Sequence, residues 1–378
     1  MADWGSGGTP SRSNPEFYGG DIPWATIADL TDGPVLSTGE SITRAALASS
    51  SAKLVPEGSV LVAMYGSIGK LGIPQVPMAT NQAIAFATPR QGVLDRRFLF
   101  HFLRAQRRPL LAAGRGGTQA NISQTILKSW QIPLPPLSEQ CRIASILDHA
   151  DTLRAKRREA IARLDELTQS IFIDMFGDPV VNRKAFPVVP LTQVGHLYSG
   201  GTPSKATPDN WEGFLPWFSP KDLKRDDLFD SQDHINERIT DRTSLKLLPP
   251  DTVVFVVRGM ILAHSFPVSI LRVQATINQD MKAVLPSVDV TSNFLAHNLR
   301  VQTNNILAQV STAGHGTKRL DFDGMSRIPV LLPPIELQRE FDARIELIRH
   351  LRTRHQVALS SVDMLFSSLQ ARLFCGAL

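Results

Sequence analysis

The chain has 378 residues, of which 43% are hydrophobic and 20% charged, and its formal net charge is +5 with an isoelectric point near 9.4. The length suits two domains, the composition excludes a disordered chain, and even the most apolar run, 253–257, is too short for a membrane span. Cys141 and Cys375 offer neither a disulfide framework nor metal-ligand spacing, and no secretion signal opens the chain, so we expect a cytoplasmic protein with no membrane partner.

The sequence pattern in each half of the chain predicts a module that contains both strands and helices. Short apolar and β-branched runs predict strands at 60–64, 186–191 and 253–257. Longer amphipathic runs predict helices at 96–106 and 292–305. Turns rich in glycine, proline and aspartate separate these elements. We therefore expect an α/β protein with two mixed α+β modules, at 1–136 and 178–334.

A long helix is predicted after each module. The runs 138–176 and 336–374 contain no proline and no glycine, and 39 helical residues span about 58 Å. Pro136 and Pro334 suit the first turn of a helix, which does not use their missing donor. We expect the segments 137–177 and 335–378 to pair as two long antiparallel coiled-coil helices.

The apolar positions of the two helices repeat with a constant offset of 198 residues. In the first helix they are Ile143, Leu147, Ala150, Leu153, Ile161, Leu164, Leu167, Ile171 and Met175. In the second they are Phe341, Ile345, Ile348, Leu351, Leu359, Val362, Leu365, Leu369 and Leu373. One polar step interrupts each stripe, at Arg157 and at His355, as an edge side chain or as a pair that fixes the register.

The chain consists of two copies of one sequence pattern. The stretch 7–12 (Gly-Gly-Thr-Pro-Ser-Arg) recurs at 200–205 with lysine in the last place, 193 positions later. Pro135-Pro136-Leu137 recurs as Pro333-Pro334-Ile335. The duplication predicts two similar modules with approximate two-fold symmetry that recognise two similar targets, which an enzyme with one active site does not need.

These motifs together resemble the DNA-specificity subunit of type I restriction-modification systems. The resemblance rests on the Gly-Gly-Thr-Pro-Ser opening, on Pro23-Trp24 with its repeat, on the run 133–140 before a long helix, and on the duplication. It covers nearly the full chain.

The resemblance implies a non-catalytic subunit with two target recognition domains that read the halves of a bipartite, asymmetric target in double-stranded DNA. The long helices would set the spacer and dock two methyltransferase (modification) subunits. A motor and endonuclease (restriction) subunit would join them. The resemblance implies no cofactor in this chain, because S-adenosylmethionine would bind in the methyltransferase subunit.

The first module differs from the second, and from the family pattern, at its start. The second module has an apolar stretch, 186–195, before its Gly-Gly-Thr-Pro, whereas residues 1–6 alone precede the first copy. We expect either that the first module lacks this opening strand or that another segment, such as the C-terminal region, supplies it.

Candidate DNA contacts lie in the glycine-rich turns, because hydroxyls, amides and cations on such loops bind phosphates. In the first module they are Thr9, Ser11, Arg12, Ser67, Lys70, Thr118 and Gln119. In the second they are Thr202, Ser204, Lys205, Lys221, Arg258, Thr317, Lys318 and Arg319. The alternative for each motif is a purely structural turn. The repeated pairs Asn81-Gln82 and Asn278-Gln279 indicate scaffold more than base recognition.

Basic residues on the long helices are candidates for partner docking or for contact with spacer DNA. They are Arg154, Lys156, Arg157, Arg158, Arg349, Arg352 and Arg354. The alternative is a solvated helix face.

We identify no catalytic motif in the sequence. The run 14–17 (Asn-Pro-Glu-Phe) superficially resembles the catalytic loop of adenine methyltransferases, but its repeat keeps only the proline, and we find no glycine-rich cofactor loop and no metal-binding motif. The remaining alternatives are a specificity subunit of another methylation or phage-defence system, a restriction-modification polypeptide with its own catalytic site, and a coiled-coil protein-interaction adaptor.

Overall fold

The computed structural model describes residues 1–114, 121–287, 289–312 and 316–374. It divides into two compact units. Unit 1 contains Met1–Arg158 together with Val357–Leu378, and unit 2 contains Glu159–Gln356. Among the described helices, none is long and apolar enough to cross a bilayer.

Unit 1 contains a five-stranded sheet and a smaller three-stranded sheet, and the strands of the two sheets are interleaved along the sequence. Its strands are β1 (Ala2–Ser6), β2 (Tyr18–Ala25), β3 (Gly33–Val35), β4 (Glu40–Ile42), β5 (Val60–Ala63), β6 (Leu71–Pro74), β7 (Ala79–Thr80) and β8 (Ile84–Pro89). Its helices are α1 (Arg44–Ser49), α2 (Arg96–Ala105), α3 (Arg107–Ala113), α4 (Gln124–Ser129) and the first part of α5 (Leu137–Phe176). The strand orders are β1-β8-β5-β6-β3 and β4-β2-β7.

Unit 2 repeats this plan. Its strands are β9 (Val188–Pro190), β10 (Gly195–Ser199), β11 (Leu215–Phe218), β12 (Asp227–Leu228), β13 (Asp233–Ile235), β14 (Val253–Val256), β15 (Val268–Leu271), β16 (Thr276–Ile277), β17 (Met281–Pro286), β18 (Ser311–Thr312), β19 (Lys318–Arg319) and β20 (Pro329–Leu331). Its helices are α6 (Ile239–Arg242), α7 (Ser292–Val301), α8 (Thr303–Ala308), α9 (Phe322–Ser326) and the first part of α10 (Ile335–Phe374). The sheets β10-β17-β14-β15-β12 and β13-β11-β16 match those of unit 1 element by element, which confirms the predicted fold class.

The start of the first module differs from its repeat in one element. Residues Ala2–Ser6 form β1 antiparallel to β8, the place that β10 takes against β17. Unit 2 has in addition β9, which pairs with β20. The described residues of unit 1 contain no counterpart of β9. The corresponding side of unit 1 is instead a cavity of about 770 Å³, lined by residues that include Trp4, Leu94, Leu99, Phe102, Leu127 and Trp130.

The two long helices are anchored in the units by aromatic side chains near their ends. In unit 2, Phe176 packs edge-on against Phe341 with ring centroids 5.5 Å apart, and Asp165 pairs with Arg352. A later residue of α5 therefore faces an earlier residue of α10, so the helix portions in this unit are antiparallel. In unit 1, Phe374 packs against Phe98 in α2.

The middle of the predicted apolar stripe is less buried than its ends. Ile143, Leu147 and Phe341 are buried. Four leucines of the stripe are 39–55% exposed, namely Leu153, Leu167, Leu351 and Leu365. Helical spacing alone therefore does not decide which residues of the stripe are buried, because burial also depends on the module beside each helix end.

A buried glutamine fixes the start of each long helix. The Gln140 side chain accepts a hydrogen bond from the Asp95 backbone N–H (2.9 Å) and donates to the carbonyls of Val93 (3.0 Å) and Pro135 (2.9 Å). Gln338 makes the equivalent three bonds, to Thr291 N–H and to the carbonyls of Asp289 and Pro333. One amide thus ties each helix to the N-terminus of a module helix, α2 or α7.

We expect Gln338→Met to lower the free energy of unfolding by about 2–3 kcal/mol, because the substitution conserves volume but leaves buried backbone groups without partners. Urea denaturation followed by tryptophan fluorescence measures the effect. Gln169→Met, at an exposed position of α5, is the matched control and should change stability little. Equal stability of the two variants would contradict the anchoring role.

A second prediction concerns Asp342, four residues after Gln338. Burial raises its pKa to about 6, so the folded state retains a proton that the unfolded chain releases near pH 4. Stability from this group is therefore present at acidic pH and is lost as pH rises from about 4 to about 6. We expect Asp342→Asn to have a higher melting temperature than the wild type at pH 7.5. The difference in melting temperature between the two proteins should be smaller at pH 4.5. The exposed Glu166→Gln should show no such difference between the two pH values.

Candidate nucleic-acid interface

The Gly-Gly-Thr-Pro motif forms the same turn in both units. The Trp24 indole N–H donates to the Gly8 carbonyl (3.1 Å), and the Trp217 indole N–H donates to the Gly201 carbonyl (2.9 Å). The repeated tryptophan of the Pro-Trp motif therefore holds the repeated glycine turn. This shared bond explains why the two motifs recur together 193 positions apart.

The first glycine of each motif lies against a neighbouring backbone. A Cβ at Gly7 would lie 2.0 Å from the Thr80 carbonyl oxygen, and a Cβ at Gly200 would lie 2.0 Å from that of Asn278. Only glycine fits this approach without a shift of the chain. The glycine pair is thus part of the scaffold that presents the following residues.

The threonine and the glutamine of the repeated motifs meet in both units. The Thr9 hydroxyl donates to the Gln82 side-chain oxygen, and the Thr202 hydroxyl donates to that of Gln279. Both glutamines are exposed. The asparagine before each has a local role, since Asn278 accepts a hydrogen bond from the Asp280 backbone N–H (3.1 Å). The glutamines are therefore the accessible members of the two repeated pairs.

The cations that end the two motifs lie on aromatic rings. The Arg12 guanidinium lies 4.5 Å from the Tyr18 ring and donates two hydrogen bonds to Glu40 (2.5 and 3.0 Å), which lowers the pKa of that carboxyl. The Lys205 ammonium lies 5.9 Å from the Trp211 ring. Ser11 bonds to Ser13, and both Ser11 and Ser204 are exposed.

In unit 2 three cations surround a cavity of about 280 Å³. Arg258, Lys282 and Arg319 line it together with Gln279. Arg258 and Arg319 are paired across a β-bridge, and the Arg258 side chain is 59% exposed. Two residues predicted from separate loops are thus brought together beside the repeated glutamine. We call Arg258, Gln279, Lys282 and Arg319 the basic cluster.

Sequence reasoning missed Lys282. Its ammonium donates to the Ser199 hydroxyl, and burial, followed by the positive charge of Arg319, lowers its pKa. An approaching anion would relieve the repulsion between these two cations. The available signal was its place on a strand three residues after Gln279.

Unit 1 carries neutral side chains at the corresponding positions. Tyr65 and Asn121 form the bridge that Arg258 and Arg319 form in unit 2. Gln82 is retained, and the strand position of Lys282 is held by the buried Ala85. The scaffold is constant between the units, while the groups that it presents differ in charge.

The other predicted contacts are scattered around these sites. In unit 1, Ser67 is exposed, and the Lys70 ammonium donates to the Ile27 carbonyl (3.2 Å). Thr118 and Gln119 lie outside the described residues. In unit 2, Lys221 pairs with Asp233 (2.7 Å), Lys318 donates to the Thr312 hydroxyl (2.9 Å), and Thr317 is half-buried.

Four of the basic helix residues form ion pairs within their units, and one of them is Arg158, whose guanidinium lies 3.5 Å from Asp363. Arg154 pairs with Asp363 in unit 1, and Arg352 pairs with Asp165 at the repeated positions of unit 2. Arg349 pairs with Asp227 (2.8 Å). Arg157 is half-buried, whereas three of the set are exposed, namely Lys156, Arg158 and Arg354. The exposed residues are the ones available to a partner or to DNA.

Comparison with known proteins identifies the family of both units. The family model described as the type I restriction modification DNA specificity domain matches residues 1–163 and again 184–346. The chain is 32% identical over 226 residues to the EcoR124I/EcoR124II type I restriction enzyme specificity subunit of Escherichia coli, a match that spans 58% of this chain and about half (55%) of that protein. It is 24% identical to the MjaIX specificity subunit of Methanocaldococcus jannaschii over 98% of this chain and 90% of that protein.

Solved structures have the same fold. The S subunit of a type I restriction-modification system from M. genitalium superposes with a TM-score of 0.59 at 16% identity, over 99% of this chain and 93% of that one. A chain from a structure on assembly and conformational transition of the type I system gives a TM-score of 0.60 at 18% identity, over 98% and 97%.

We expect Gly200→Ala to destabilise unit 2 by about 3 kcal/mol, because the added methyl group collides with backbone that cannot move aside as a side chain would. Gly201→Ala is the matched control. A Cβ at that position meets only the Leu245 side chain, at 3.4 Å, so the variant should unfold like the wild type. Thermal unfolding measures both variants, and a tolerated Gly200→Ala would refute the close approach.

Proposed function

Because the chain belongs to the type I restriction-modification DNA specificity family, we propose that it selects the DNA sequence on which partner subunits act. Its own role is binding, since the specificity subunits of this family are not catalytic. One observation carries the proposal beyond the family. The two units hold the same Thr–Gln and Trp–Gly contacts but present different side chains beside them.

Each unit reads one half of a bipartite target. In unit 2, Arg258 and Arg319 suit the acceptor edge of guanine, which arginine binds through two parallel hydrogen bonds. In unit 1, Asn121 suits adenine, which amides recognise in the major groove. The different chemistry of the two sites predicts that the two half-sites have different sequences.

Phosphate contacts supply most of the affinity and position each unit on the duplex. The exposed members of the predicted loops suit this role, namely Ser11, Arg12, Ser67, Ser204 and Lys205. Lys318 adds a further cation to this phosphate-binding surface. The other predicted contacts, Thr9, Lys70, Thr202, Lys221 and Thr317, support the loops or extend the same surface. Binding should therefore weaken as salt concentration rises.

The long helices dock the partner subunits. Leu153 and Leu351 occupy repeated positions and are both exposed, as are Leu167 and Leu365. Exposed apolar side chains at repeated places suit two copies of one partner. We propose that the segments 1–136 and 178–334 are the target recognition domains and that 137–177 and 335–378 carry two methyltransferase subunits, which bind S-adenosylmethionine and recruit the restriction subunit.

Mapping methylated adenines in a host tests the function directly. With the chain and its methyltransferase present, we expect a split motif with two different halves and a constant gap. Deletion of the chain alone should abolish methylation at that motif. An unchanged methylation pattern would contradict the proposed function.

We expect Arg319→Ala and Lys282→Ala each to raise the Kd for a duplex with the mapped target about tenfold, because a good base contact contributes about 1–3 kcal/mol. Discrimination should relax in one half-site only. Lys318→Ala should instead weaken binding to all sequences and reduce the slope of log K against log salt by about 1. Fluorescence anisotropy across a salt titration separates these effects.

The exposed Arg183→Ala is the matched control for the loss of one positive charge in unit 2. Its binding should follow that of the wild type. If Arg319→Ala also bound like the wild type at every salt concentration, the basic cluster would not be a DNA contact.

A further inference from the structure

Unit 2 contains a cavity of about 340 Å³ between the long helices and α7. Its lining includes Thr168 of α5, His297 and Arg300 of α7, and Arg352 of α10. The side-chain exposures of Arg300 (21%) and Arg352 (31%) show that solvent reaches the cavity.

A phenyl ring occupies the repeated place in unit 1. Phe366 is 4% exposed there. The guanidinium carbons of Arg154 and Arg104 lie 4.5 and 5.2 Å from its ring, and the His101 ring meets it edge-on at 6.4 Å. Two cations over an aromatic face are each worth about 0.5–1 kcal/mol or more, so the ring is held by charge as well as by burial.

The same three neighbours are present in unit 2, where a short side chain replaces the ring and Arg349 stands at the position of Asp151. In the long helices, Arg154 corresponds to Arg352 and Phe366 to Thr168. In the module helices α2 and α7, His101 and Arg104 correspond to His297 and Arg300, as follows from the shared N-cap positions Asp95 and Thr291.

The short side chain of Thr168 leaves the space open. Its hydroxyl donates to the Leu164 carbonyl in its own helix (3.0 Å), so that polar group needs no ligand.

One ion pair beside the site is repeated in the two units, and the second cation of the site has a different acidic partner in each unit. Arg352 pairs with Asp165, as Arg154 pairs with Asp363 around Phe366. Asp226 pairs with both Arg300 and Arg352 (3.1 Å each). The cations are thus held at the cavity wall by acids, and binding of a neutral ring there requires no separation of charge.

We propose that this cavity binds an aromatic ring, supplied by a side chain of a partner protein that docks on unit 2. The ring would take the place that Phe366 takes in unit 1. The volume is sufficient for a tyrosine or tryptophan side chain, since a cavity of roughly 150 Å³ holds benzene. A protein is the expected source because exposed leucines flank the site on the same helices, Leu167 on α5 and Leu347 and Leu351 on α10.

Indole tests the site without any partner. We expect saturation-transfer NMR to detect indole on the full wild-type chain. Thr168→Phe, which restores the ring of the other repeat, should reduce indole affinity at least tenfold. Thr168→Ser is the control that leaves the space open and should retain binding. Thr168→Leu is a second blocking variant if the phenyl ring prevents folding, which far-UV circular dichroism reports.

The partner test rests on the proposed function and uses the methyltransferase subunit. We expect Thr168→Phe to weaken its binding to the full chain at least tenfold, and Thr168→Ser to leave that binding unchanged. DNA binding by the chain alone should be the same in all variants, so a failure of DNA recognition is distinguishable from a failure of docking.

Two results would overturn the proposal. The absence of indole binding to the wild type would refute the aromatic site itself. Indole binding that Thr168→Phe blocks, together with normal assembly of that variant, would refute the partner as the source and assign the site to a free aromatic compound.

Discussion

The hydrogen bonds of one buried amide govern how each long helix leaves its module. Gln140 and Gln338 each bridge the first turn of a long helix, the segment before it and the N-terminus of a module helix. These groups are removed from water, so an incomplete set would cost more than the bonds contribute when they are made. The direction of the helix is thereby fixed where it begins. The aromatic packing at Phe341 and the ion pairs further along depend on that direction.

The repeat made much of the architecture predictable. Two modules, two helices that begin within a residue of 138 and 336, and strands at 60–64 and 253–257 follow from pattern alone, because hydrophobic period and proline position are local properties. Partners across the fold were not predictable. Arg154, Arg349 and Arg352 were candidates for partner docking or contact with DNA, and the sequence did not show that each pairs with an acid distant in the chain. Lys282 was missed because its neighbour Arg319 arrives from another loop.

The structure separates what must stay constant from what is free to differ. Contacts such as Trp24 to Gly8 join scaffold atoms, and their counterparts in unit 2 are the same to within a few tenths of an ångström. Tyr65 and Arg258 occupy equivalent backbone positions, but the first presents a neutral phenol and the second a positive charge. If these exposed side chains read the DNA, as we propose, a change of recognised sequence needs substitutions only there, at little cost to folding. The same comparison between repeats exposes the exchange of Phe366 for Thr168.

The way in which the chain is divided between the two units sets the order in which the units are able to complete folding. Unit 2 is one continuous segment, but unit 1 needs Val357–Leu378 in addition to its first 158 residues. Phe374 covers Phe98 and Phe102, so the core of unit 1 stays incomplete until residue 374 has been translated, 216 residues (374 − 158) after Arg158. At about 5–20 residues per second, that interval is roughly 10–40 s. During it the nascent chain exposes an unfinished aromatic surface, and unit 2, whose residues all precede Val357, is able to fold before unit 1 is complete.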